Sequence, residues 1–153
     1  MTAQELYETD FFQWTRRNAE LLSQGRLDLA DIPHIAEELA DIGKRDRRRV
    51  AGHLRRLIAR LLLWEMQPGR RRDSWLSRIG DARAELKLYF KYSPSLRWFA
   101  RESVSRIYEN ARHLASTETG LPIAAFPAEC PYRFEQLTEM EFLPGVKRTK
   151  IES

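Results

Sequence analysis

His34, His53 and His113, the adjacent Glu37 and Glu38, and the single Cys130 are the residues here whose types support catalysis or metal binding. A dimetal site in a helical bundle needs Glu-x-x-His pairs on two helices and single glutamates on the others. This chain contains no Glu-x-x-His; His34-Ile-Ala-Glu37 carries the reverse order, and Glu109 and His113 lie one helical turn apart. Those four would form a mixed site only if their helices abut, and chance spacing explains them more simply, so no metal is expected. Glu37 or Glu38 would serve as a general base if one carboxylate were desolvated. A buried glutamate bonded to an arginine such as Arg83 accounts for the pair better. Cys130 has no histidine near it in sequence, and no Gly-x-Ser-x-Gly elbow is present. Nor is there a Gly-x-x-x-x-Gly-Lys or a Gly-x-Gly-x-x-Gly. The residues therefore point to no cofactor and no identifiable small-molecule substrate, and the reading leans away from an enzyme.

The feature with a direction is basic. From Lys44 to Arg72 there are eleven Lys and Arg against Asp46 and Glu65, a local excess of +9 that leaves −5 on the rest of a +4 chain. Lys44, Arg45, Arg47, Arg48 and Arg49 cover most of a helix circumference, so some of them must face solvent, and Arg55, Arg56 and Arg60 extend the polar side. Arg70, Arg71 and Arg72 follow as a second cluster. Arginine's planar fork suits carboxylates and phosphates. The segment thus predicts an interaction or assembly module facing an acidic protein, or a second copy of the chain through its acidic remainder. The alternative is nonspecific nucleic-acid binding, in which neutralising about five phosphates gives a salt slope near −4.5. Trp64 and Trp75 flank the second cluster and could stack on bases, although their stripe positions favour core roles. A solvated face whose arginines pair with neighbouring acidic helices is the bland reading of the same residues.

The elements that must carry these residues are helical. Val50, Leu54, Leu57, Leu61 and Trp64 recur at four, three, four, three, and Ile35, Leu39 and Ile42 form an earlier stripe offset by one residue. The offset predicts a bend, a loosened turn or a change of packing partner near Gly43. Asp31 reads as the N-cap of this helix with Pro33 in its first turn, and Pro68-Gly69 ends it near Met66. Upstream, Glu5 to Gln24 reads as one helix with Tyr7, Phe11, Trp14, Asn18 and Leu21 on a stripe, Asp10 beside it, and Gly25 as its stop. Ser74 to Tyr92 makes a third helix, and Ser93-Pro94-Ser95 begins a fourth that Thr119-Gly120 closes. Pro122, Pro127, Pro131 and Pro144 then punctuate an irregular wrap with one short helix near Tyr132 to Thr138. The fold class is all-α: an antiparallel bundle of about four long helices in a single domain over 5–144, with 145–153 as a flexible basic tail.

Composition agrees, at 42% apolar and 31% charged. The longest apolar run, Leu61 to Trp64, is far short of the roughly 20 residues that a membrane span needs. The first residues lack the basic and apolar regions of a signal peptide, and one cysteine fits a reducing compartment, so a cytoplasmic protein with no membrane partner is expected.

The order of these features is similar to a bacterial family, Domain of Unknown Function 29. The resemblance rests on Leu6-Tyr7-x-x-Asp10-Phe11-x-x-Trp14, Glu37-Glu38-Leu39-x-x-Ile42-Gly43, Leu61-Leu62-x-Trp64 before Pro68, and Ser74-Trp75. Ser93-Pro94-Ser95-Leu96, Glu118-Thr119-Gly120-Leu121 and Cys130-Pro131-Tyr132 continue it in one register. It implies an all-helical, bundle-like domain and brings no activity, substrate or cofactor. Where that family carries His-Leu-Leu-Lys, this chain has Arg60 and Leu63 at the first and last positions.

Overall fold

A computed structural model describes residues 1–145, and every regular element among them is helical. Six α-helices follow in order: α1 (Ala3–Thr9), α2 (Phe11–Ser23), α3 (Ile32–Met66), α4 (Asp73–Tyr92), α5 (Pro94–Thr119) and α6 (Phe134–Thr138). Short 3-10 turns at Pro68–Arg70 and Ile123–Ala125 join them. The tail expected at 145–153 falls outside the described residues beyond Gly145. The chain gathers into two compact units, Met1–Asp46 and a second beginning at Arg47.

In the first unit, the single helix expected from Glu5 to Gln24 is two. Thr2 and Glu5 form a capping box that starts α1. Asp10 leaves helical geometry (φ −152°, ψ 87°), and its carboxylate accepts from the Gln13 N–H at 3.1 Å, capping α2. An aspartate that can satisfy an orphan N–H competes with helix continuation, and here it wins. Trp14, Asn18 and Leu21 are buried as the stripe requires. Gly25, at φ +70°, takes the left-handed turn that ends α2.

Asp31 opens α3 as expected and does more than cap it. Its carboxylate accepts from Trp14 Nε1 at 3.0 Å, from His34 Nδ1 at 2.6 Å and from the His34 backbone N–H at 3.4 Å. Its own N–H goes to Asn18 Oδ1 at 2.8 Å. Tyr7 stacks on the His34 ring with centroids 3.8 Å apart and donates to Glu38 Oε1 at 2.7 Å. These bonds fix the start of α3 as far as Glu38. Leu39 and Ile42 are 65% and 48% exposed, so the first apolar stripe is not a core stripe. The helix runs unbroken through Gly43, and the offset of the stripes coincides with a change of compact unit after Asp46.

In the second unit, Val50, Leu54, Leu57 and Leu61 are fully buried, joined by Ile58, Ala59, Leu62 and Leu63 as neighbours close round the helix. α4 contributes Ile79, Ala82 and Leu86; α5 contributes Leu96, Ala100, Ile107, Tyr108, Ala111 and Ala115. Arg47 sits over Phe99 and Arg60 pairs with Glu118, so this half of α3 and α5 run parallel. Only a short connection joins Met66 to Asp73, and His53 lies against Tyr89 well back along both helices, so α4 runs antiparallel to α3. Gly120, left-handed at φ +72°, ends α5 by returning its N–H to Ser116 O.

The proline-rich wrap is tied down by side chains from the helices. Tyr108 donates to Pro127 O, Ser116 to Leu121 O, Arg112 to Phe126 O and Tyr132 to Glu65 Oε2 at 2.6 Å. Arg83, 2% exposed, donates to the carbonyls of Leu137 (2.9 Å), Met140 (3.2 Å) and Gln136 (3.2 Å). It thereby satisfies acceptors at the end of α6 and is not the partner of Glu37 or Glu38 that the sequence suggested.

Candidate interaction face

The second half of α3 builds the face. Val50, Leu54, Leu57 and Leu61 point into the core, so the residues offset from them by half a turn must point out. Arg48 and Arg55 form one row and Arg49 and Arg56 another, each pair two turns and about 10 Å apart. All four are exposed. Arg48, Arg49 and Arg55 make no side-chain hydrogen bond or ion pair with any described residue, whereas Arg56 reaches His53 Nδ1 at 3.2 Å. Since a guanidinium only donates, His53 Nδ1 accepts and its proton sits on Nε2. Burial first, and the Arg56 charge second, hold the His53 pKa below its ordinary value.

The other expected site residues divide. Arg47 is exposed and its guanidinium lies 5.8 Å from the Phe99 ring centre, shielding part of the core edge. Lys44 and Arg45 are exposed at the end of the first unit. Arg70, Arg71 and Arg72 are exposed past the end of α3, and about 27 Å of helix axis separates Arg48 from Met66. The two basic clusters are thus separate features. Arg71 is engaged within the fold: its Nε donates to Trp64 O at 2.9 Å and its guanidinium stacks 4.6 Å over the indole. That contact occupies the Trp64 face on which a base would stack. Trp75 is half-buried against the core.

The catalytic candidates disperse. Glu37 is exposed and Glu38 serves as acceptor for Tyr7, so neither is the desolvated carboxylate that base catalysis needs. The Cys130 thiol donates to Tyr132 O, and burial pushes its pKa up, away from the thiolate that a nucleophile needs. Among the described residues, no three His, Cys, Asp or Glu side chains are placed to hold a metal ion. No helix among them is long and apolar enough to cross a membrane.

The class that fold and site define is an all-helical protein whose catalytic candidates are dispersed. The model of the family described as domain of unknown function DUF29 matches residues 6–143, and the chain belongs to that family. No curated protein and no solved structure matches the chain.

Proposed function

We propose that the protein is an interaction module that docks an acidic protein partner on Arg48, Arg49, Arg55 and Arg56. One observation carries this reading: Arg48, Arg49 and Arg55 are exposed, clustered and form no ion pair with a described residue. An acidic partner would neutralise these clustered charges. The bland reading, internal pairing with acidic helices, loses its support at these positions. A face of about 10 Å suits a short acidic segment, and the distance to Arg70–Arg72 argues against one continuous phosphate track.

The test is fluorescence anisotropy of a labelled glutamate-rich peptide, alongside random-sequence DNA and RNA, from about 50 to about 300 mM salt. The expected result is peptide binding tighter than nucleic-acid binding at every salt. Micromolar DNA or RNA binding with a slope near −4.5 and no peptide binding would assign the face to nucleic acid instead. Light scattering that finds a stable dimer of the chain alone would assign it to a second copy.

A further inference from the structure

A second basic feature lies away from that face, where α4, the start of α5 and the segment after α6 meet. Arg83, Leu86, Lys87 and Phe90 of α4, Arg97 of α5, and Thr138 with Met140 line a cavity of about 240 Å³. Three cations line it and no carboxylate does. Its floor is apolar, formed by buried Leu86 and half-buried Phe90, with Met140 at the rim.

Arg83 is the unusual member. A buried guanidinium ordinarily has a carboxylate partner. Here it holds three backbone carbonyls, and Glu139 is the nearby negative charge that favours its cation. The carbonyls use three of the five guanidinium N–H groups, which leaves one on each of Nη1 and Nη2 for a further acceptor. Lys87 makes no hydrogen bond or ion pair with a described residue, and Arg97 lies over the Phe134 ring at 5.2 Å with no ion pair. Cations and an apolar floor lining one hollow suit an anion seated among the cations whose hydrocarbon part covers Leu86 and Phe90.

We infer that this cavity binds a small organic carboxylate with an apolar body, of the size of benzoate or hexanoate. The carboxylate would take the free Arg83 N–H groups and the Lys87 ammonium, and the apolar body would lie against Leu86, Phe90 and Met140. This site is independent of the arginine face on α3 and goes beyond the docking reading.

Calorimetric titration of the full chain with benzoate and with hexanoate tests it, with benzyl alcohol and inorganic phosphate as the uncharged and purely ionic controls at matched ionic strength. Both carboxylates are expected to bind, and each control to bind at least about tenfold more weakly, the discrimination that one charge-assisted hydrogen bond supplies. The double variant Lys87→Met, Arg97→Gln should lose about tenfold or more in affinity. Neither residue holds a backbone group, and losing the Arg97 contact with Phe134 should lower the ligand-free Tm only slightly. Arg83→Met is expected to unfold the α6 region and is not the deciding variant. Equal binding of benzoate and benzyl alcohol would overturn the inference, as would phosphate binding as tightly as hexanoate. So would a folded double variant that binds like the parent.

Discussion

Asp31 concentrates more of the local architecture than any other polar residue of the first unit. Burial pushes its carboxyl pKa up, yet hydrogen bonds from the Trp14 indole and from the His34 side chain and backbone outweigh that and hold it below its ordinary 3.8. An ionised carboxylate only accepts, so His34 Nδ1 is the donor in their 2.6 Å contact. A folded-state pKa below the unfolded one contributes stability above pH 3.8 that is lost as the pH falls further. Asp31→Ala should cost about 3 kcal/mol, from a lost helix cap and an orphaned buried indole N–H. Asp31→Asn, which still accepts, should cost less. Urea unfolding at pH 6 and pH 3 checks this, and the gap between parent and Asp31→Asn should narrow in acid. The sequence identified Asp31 as a cap; its second role depends on Trp14 arriving 17 residues away, which no local pattern encodes.

At the scale of elements, the strict four-three spacing of Val50, Leu54, Leu57 and Leu61 was legible because a fully surrounded helix tolerates few other residues on its inner face. The break at Asp10 was not, because a cap and a helix-interior aspartate can share one apolar period. The stripe of Ile35, Leu39 and Ile42 misled for another reason: periodicity states which residues share a face and is silent on whether anything covers it. Arg83 was visible only as a charge between Ala82 and Leu86, and its partners are carbonyls, which carry no side-chain signature. Arg83→Met should therefore destabilise the second unit by roughly 3 kcal/mol, with hydrogen exchange rising first over Phe134–Thr138. Unchanged protection there would mean that the packing of Phe134 and Leu137 alone holds α6.

For the whole molecule, the alkaline limb of stability follows from its tyrosines. A hydrogen bond to Glu38 raises the Tyr7 phenol to about 12, and burial raises Tyr108 to about 12. Burial, then the bond to Glu65, raises Tyr132 as well. Each contributes stability below pH 10 that disappears as pH climbs through the folded value. Arg83, lowered by burial to about 10, works the other way, because the fold releases that proton before the unfolded chain does. Three phenols against one guanidinium predict a net fall in stability above pH 10. Absorbance at 295 nm should show fewer tyrosinates at pH 11 in the native protein than in denaturant. The basic segment was legible as charge, but its division into a free face on α3 and a separate, partly engaged cluster at Arg70–Arg72 required the length of the helix between them.

The free arginine face is tested most directly by changing Arg48, Arg49 and Arg55 together to alanine. Binding of a labelled glutamate-rich peptide is then compared with the parent, and both melting curves are recorded. The variant is expected to keep or slightly raise its Tm, as alanine's helix propensity requires, and to lose peptide binding. A variant that melts much earlier would show that these arginines hold the fold together, and undiminished peptide binding would show that the partner docks elsewhere.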